Sequence, residues 1–117
     1  MAGLTTHILD TASGKPGAGI DIALYRTGAE SRELLGRFRS NADGRCDQPL
    51  LSASALQVGT YELEFEVGTY FRERGVELSE PAFLDSVVLR FGVADAGAHY
   101  HVPLLVSPYS YSTYRGS

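Results

Sequence analysis

Three histidines, one turn arginine and a polar C-terminal string are the residues of this 117-residue chain whose types and spacing fit chemistry. His7 lies in Leu4-Thr5-Thr6-His7-Ile8-Leu9. Period two sets Leu4, Thr6 and Ile8 on one face and Thr5, His7 and Leu9 on the other, so His7 points away from the apolar side. His99 and His101 share a strand face by the same rule. Imidazole titrates closest to neutral pH, which suits it to move protons, and a His-x-His pair with a third histidine also has the composition of a metal site. Against a metal, no carboxylate motif stands nearby as a supporting partner for His7, His99 and His101. Two of the histidines also have a plainer reading: His7 as a surface or hydrogen-bonded strand residue, and His99 as a strand-start residue at a pocket rim or in solvent.

Arg45 follows Asn41-Ala42-Asp43-Gly44. Composition alone makes this a turn with an exposed arginine. Cys46 could be a nucleophile, but no motif activates it, and a partly buried, inert thiol accounts for it as well. Lys15 sits in a glycine-rich turn too short to cradle a phosphate, and Glu62, Glu64 and Glu66 read as a solvated strand face. The chain ends Tyr114-Arg115-Gly116-Ser117, where termini ordinarily fray unless they are tied into a structure.

The elements that must position these residues are strands. Alternating apolar runs separated by Gly, Pro, Asn and Asp clusters predict an all-β sandwich. Tyr61 to Val67 alternates most clearly, with Tyr61, Leu63, Phe65 and Val67 on one face. Val87, Leu89, Phe91 and Val93 repeat the period. Further strands are predicted at Leu4 to Asp10, Ile20 to Arg26, Leu34 to Ser40, about Pro49 to Ala53, Ala98 to Val106 and Tyr109 to Tyr114. In the last, Ser112 and Tyr114 would share a face leading to Ser117. The segment from Thr69 to Gly75 loses alternation, carries Arg and Glu, and stops at a glycine, which predicts one short helix. The eight strands suffice for two four-stranded sheets packed face to face.

The sequence resembles the transthyretin-related 5-hydroxyisourate hydrolases from Leu4 to Ser117, through Leu-Thr-Thr-His at one end and Tyr-Arg-Gly-Ser at the other. The run after His101 is similar to the penultimate strand of that family, and Asn41 to Arg45 to its Asn-x-Asp-Gly-Arg. The resemblance implies an all-β, transthyretin-like (prealbumin-like) sandwich of two four-stranded sheets with one short helix. It implies a metal-independent hydrolase that opens 5-hydroxyisourate to 2-oxo-4-hydroxy-4-carboxy-5-ureidoimidazoline in urate (purine) breakdown. The catalytic residues it implies are His7, His101, Arg45 and Ser117, with Arg45, Tyr114, Arg115, Gly116 and Ser117 binding the substrate. No cofactor is implied, and a homotetramer is expected. A carrier of hydrophobic small molecules on the same fold, like transthyretin itself, is the alternative, and a purely structural sandwich would leave the polar motifs unexplained.

Length predicts a single domain over residues 1–117 with one core. The net charge of −4 with scattered basic residues predicts no nucleic-acid partner. A lone cysteine, no apolar stretch approaching the ~18 residues of a membrane span and no secretory leader predict a soluble, cytoplasmic protein.

Overall fold

A computed structural model describes residues 3–116. Nine strands and one helix follow in the order β1 (Gly3–Asp10), β2 (Lys15–Pro16), β3 (Asp21–Thr27), β4 (Arg32–Arg39), β5 (Leu51–Ser52), β6 (Gly59–Phe65), α1 (Val67–Glu73), β7 (Val87–Val93), β8 (His99–Val106) and β9 (Tyr111–Thr113). One sheet runs β2-β1-β8-β9, with β5 also paired to β1, and the other runs β4-β3-β6-β7. The sandwich of two sheets with one short helix is thus as expected. The first sheet holds five strands because Lys15–Pro16, expected as turn, pairs antiparallel with Leu9 and Asp10.

Alternation decides what each sheet buries. Leu4 and Ile8 of β1, Leu24 of β3, Leu63 and Phe65 of β6 and Leu104 and Val106 of β8 are wholly enclosed, and they share one core cluster. Burying side chains of this size contributes about 1.5–3 kcal/mol each. Helix α1 closes one end of the core with Val67, Tyr70 and Phe71 and stops before Gly75, whose φ of 81° suits glycine. Tyr70 donates to the buried Asp10 carboxylate at 2.8 Å, and Asp10 also accepts the backbone N–H groups of Ala12 and Ser13. A charge enclosed in this way is held by donors on both its oxygens.

The outer face of β6 differs from the expected solvated ladder. Glu62 is only 9% exposed. Its two oxygens lie 3.3 Å from Arg32 Nη1 and 3.0 Å from Arg90 Nη2. Glu64 pairs with Arg32 at 3.3 Å, and Glu66 accepts a hydrogen bond from Ser86. Two other strands supply the arginines: Glu62 lies opposite Arg90 on the adjacent β7, and Arg32 reaches it from β4 across β3, a placement invisible from β6 alone.

The feature that matters most for the site is the pairing of the first and penultimate strands. β1 and β8 run parallel, with Thr5 opposite His101 and Gly3 opposite His99. The far edge of β1 is covered in pieces. β5 pairs at Gly3 and Leu4, β2 at Leu9 and Asp10, and between them Arg45 bridges to His7.

Candidate active site

The turn from Asn41 to Arg45 is built to hold that bridge. The Asn41 side-chain oxygen accepts from the backbone N–H of Asp43 at 2.9 Å and of Arg45 at 3.1 Å. The Gly44 and Asn41 N–H groups donate to the carbonyls of Asn41 and Arg45, at 2.9 and 2.7 Å. Gly44 has φ of 75°, and a Cβ there would run into the Ile8 carbonyl oxygen, so no other residue fits without strain. Its own carbonyl accepts from Ile8 N–H at 2.8 Å, which docks the turn on β1. Arg45 is thereby exposed beside His7 with its backbone fixed.

His7 lies 3.0 Å, through Nε2, from the Asp43 carbonyl oxygen. A carbonyl oxygen can only accept, so Nε2 carries the proton and neutral His7 keeps the lone pair on Nδ1. The turn that places Arg45 therefore also sets the tautomer of His7.

Thr5 projects from the same face of β1 as His7 and joins the other two histidines. Its Oγ1 is 2.9 Å from His101 Nδ1 and 3.3 Å from His99 Nε2. Both rings are half-buried, and His99 Nδ1 is enclosed with no hydrogen-bond partner among the described residues. The pKa of His101 is lowered from the ordinary 6.5, first by burial and then by the Arg45 charge, with a smaller repulsion from His7 and His99 whenever those rings are protonated. His101 is therefore neutral at physiological pH. Thr5, Arg45, Cys46, Asp47, Gln48, His99 and His101 surround an open cleft of about 620 Å³, with His7 one step further along the face of β1. His7, His99 and His101 do not form a metal-ligating group among the described residues. Thr5 stands between His99 and His101, and His7 is turned to a carbonyl. Burial and Asp47 raise the pKa of Cys46, which keeps it a thiol.

The C-terminal string divides between two places. Gly116 bridges to His101 and donates to its carbonyl at 2.8 Å. A Cβ on Gly116 would stand 2.6 Å from His101 Cδ2, so only glycine lets the chain pass this ring. β9 ends at Thr113, so Tyr114 is outside the strand and does not share a strand face with Ser112. Tyr114 and Arg115 instead line a separate cavity of about 390 Å³ between the edges of the two sheets. The Arg115 guanidinium lies 4.2 Å from the centre of the Tyr100 ring and donates to the His99 carbonyl at 3.3 Å. In one chain their side chains are thus placed away from the histidine cleft. Ser117 lies outside the described residues. Thr5 and Asn41 were not singled out in the sequence, although Thr5 stands two residues before His7 on its face and Asn41 opens a turn with a side-chain acceptor.

A sandwich whose parallel first and penultimate strands present histidines to an open cleft has the architecture of a transthyretin-like protein. A model of the HIUase/Transthyretin family matches residues 4–116, and the chain belongs to that family. A 5-hydroxyisourate hydrolase of Ralstonia nicotianae is 62% identical over 117 residues, covering 100% of both chains. One of Pseudomonas aeruginosa is 61% identical over 117 residues, covering 100% of this chain and 93% of its own. Among solved structures, the 5-hydroxyisourate hydrolase of Klebsiella pneumoniae superposes with a TM-score of 0.81 at 36% identity, covering 100% of both chains.

Proposed function

We propose that this chain, as one hydrolase domain, opens the ring of 5-hydroxyisourate with water to give 2-oxo-4-hydroxy-4-carboxy-5-ureidoimidazoline, a step of urate catabolism. Full-length similarity to hydrolases of that name at 61 and 62% identity supports this activity over carriage of a hydrophobic ligand. The observation that carries the assignment of the site is the bridge between His7 and Arg45 on a β1 whose other edge faces His101.

Water attacks a ring acyl carbon, and the carbon–nitrogen bond breaks as the departing nitrogen takes up, by way of His7, the proton the water gave up. The acid formed loses its remaining proton to solvent as a carboxylate. His7 takes the proton of the attacking water on Nδ1, since Nε2 is committed to Asp43. The resulting imidazolium is stabilised by the same carbonyl oxygen. Arg45 holds its charge at any working pH and presents a planar fork of donors to ring carbonyls and to the oxygen on which charge develops. Well-placed donors of this kind contribute roughly 2.7–4 kcal/mol in studied enzymes. Gly116 meets His101, the hydroxyl and backbone groups of Ser117 bind the ring, and Tyr114 and Arg115 support that end of the chain. The reaction requires neither metal nor cofactor.

The working form is a homotetramer. β7 and β9 end their sheets with open edges, and Tyr111 and Tyr114 beside them are 45% and 60% exposed. Pairing such edges across two-fold axes satisfies their backbone groups. Two dimers then pack face to face, with the strands bearing His7 and His101 lining the channel between them. None of the described helices is long and apolar enough to cross a membrane, and we place the protein in the cytoplasm. Coupling urate oxidase to the purified protein and following decay of 5-hydroxyisourate by absorbance tests the activity. Acceleration over the spontaneous decay is expected, and none at micromolar protein would refute the assignment.

A further inference from the structure

We propose that Thr5 is a positioning residue that, with His99 behind it, holds His101 in the tautomer protonated on Nε2, so that His101 serves the reaction as a neutral hydrogen-bond donor and leaves the base role to His7. The inference rests on the functional reading above and divides the histidine roles within it.

The geometry concerns one hydroxyl between two rings. Thr5 Oγ1 has ring nitrogens of His99 and His101 as its hydrogen-bond partners among the described residues. Its single proton goes to one of them, and the other ring must donate to it. His99 decides which. If Thr5 donated to His99 Nε2, neutral His99 would carry its proton on Nδ1, the enclosed atom without a partner. A buried N–H left unpaired is rarer and costlier than a bare acceptor. His99 therefore carries its proton on Nε2 and donates to Thr5, and Thr5 donates to His101 Nδ1. Neutral His101 is left with its proton on Nε2, the nitrogen not engaged by Thr5.

Burial and the nearby Arg45 charge keep His101 neutral. A neutral imidazole N–H directed at an oxygen that gains charge stabilises it without giving up its proton, a role neutral histidine fills in other enzymes. No proton passes along the His99–Thr5–His101 chain. It sets orientation and tautomer only.

Ring-nitrogen NMR of the full-length, 15N-histidine-labelled protein reads the tautomers directly and needs no substrate. The expected spectrum of the resting protein at pH 7.5 shows His101 protonated on Nε2 and His99 protonated on Nε2. A His101 signal protonated on Nδ1 overturns the proposal. In the coupled assay, Thr5→Val should lower kcat by about tenfold or more with KM changed less than about twofold. Its His101 signal should become a mixture of tautomers. Thr5→Ser, which keeps the hydroxyl, should restore most of the loss and the wild-type tautomer. Thr5→Val with kcat unchanged, or Thr5→Ser as damaged as Thr5→Val, also overturns the assignment. A wild-type protein with no hydrolase activity but the expected tautomers would refute the functional reading and leave the hydrogen-bond relay standing.

Discussion

His7 and His101 both sit on polar partners, but the partners differ in kind. A carbonyl holds His7 and a hydroxyl holds His101. The first can only accept and so leaves His7 a free lone pair. The second does either, so His101 depends on what stands behind it. His7→Ala, His101→Ala and Arg45→Ala should each lower kcat by about 100-fold or more in the coupled assay, with circular dichroism unchanged. Variants within a few-fold of wild type in kcat/KM would remove the residue from the site. The charge of Arg45 also bears on His101. Burial and that charge hold its pKa below 6.5, so Arg45→Gln should move the NMR titration midpoint of His101 upward. The sign for stability follows from the same direction. With a folded-state value below the unfolded one, His101 contributes stability above pH 6.5 that is lost as pH falls through the folded value. Urea melts at pH 7.5 and pH 5 should show wild type losing more stability over this interval than His101→Gln.

The strand edge and the turn docked on it set the positions of these side chains. Gly44 and Gly116 allow close approach at two points, one where the turn meets Ile8 and one where the tail meets the His101 ring. Gly44→Ala forces a left-handed backbone conformation on a residue with Cβ, which costs roughly 1–2 kcal/mol before the contact with the Ile8 carbonyl is counted. Its thermal melt should fall, and its activity with it, because the same turn carries Arg45 and the Asp43 carbonyl. Gly116→Ala should behave differently. The tail is at the surface, so the melt should move little while kcat drops, since either the tail or the His101 ring must give way. A variant with full activity would show that the approach of the tail to His101 is incidental.

Assembly tests the whole reading of the molecule. If two dimers close the channel over the histidine cleft, light scattering at assay concentration should report four chains, and an interface change that leaves dimers should abolish activity. Deleting Gly116 and Ser117 should cost activity far more than stability, because Gly116 lies outside the buried core. A fully active monomer or dimer would separate the site from the assembly. Exhaustive chelation should leave the coupled assay unchanged, and stoichiometric zinc whose removal and return switch activity off and on would replace histidine with metal as the source of the nucleophile.

Period-two alternation was enough to predict most strands and the outward face of His7, because side-chain direction along a strand is local geometry. The helix was legible to within a couple of residues from its loss of alternation and its terminal glycine. The segment from Asn41 to Arg45 is a turn, as its composition predicted, and Asn41 owes its type to hydrogen bonds inside it, whereas Gly44 owes its type to a φ of 75° and its approach to Ile8. Pairing between distant segments was not legible. That β1 lies parallel to β8 with Thr5 facing His101, that Arg45 fills the gap between β2 and β5, and that Glu62 is enclosed by arginines from two other strands are all register facts. Tyr114 and Arg115 illustrate the limit most plainly: adjacent to Gly116 in the chain, they turn to the gap between the sheets while Gly116 meets His101. Local sequence determines which way a residue points from its own strand, and only the packing of one strand against another decides what it points at.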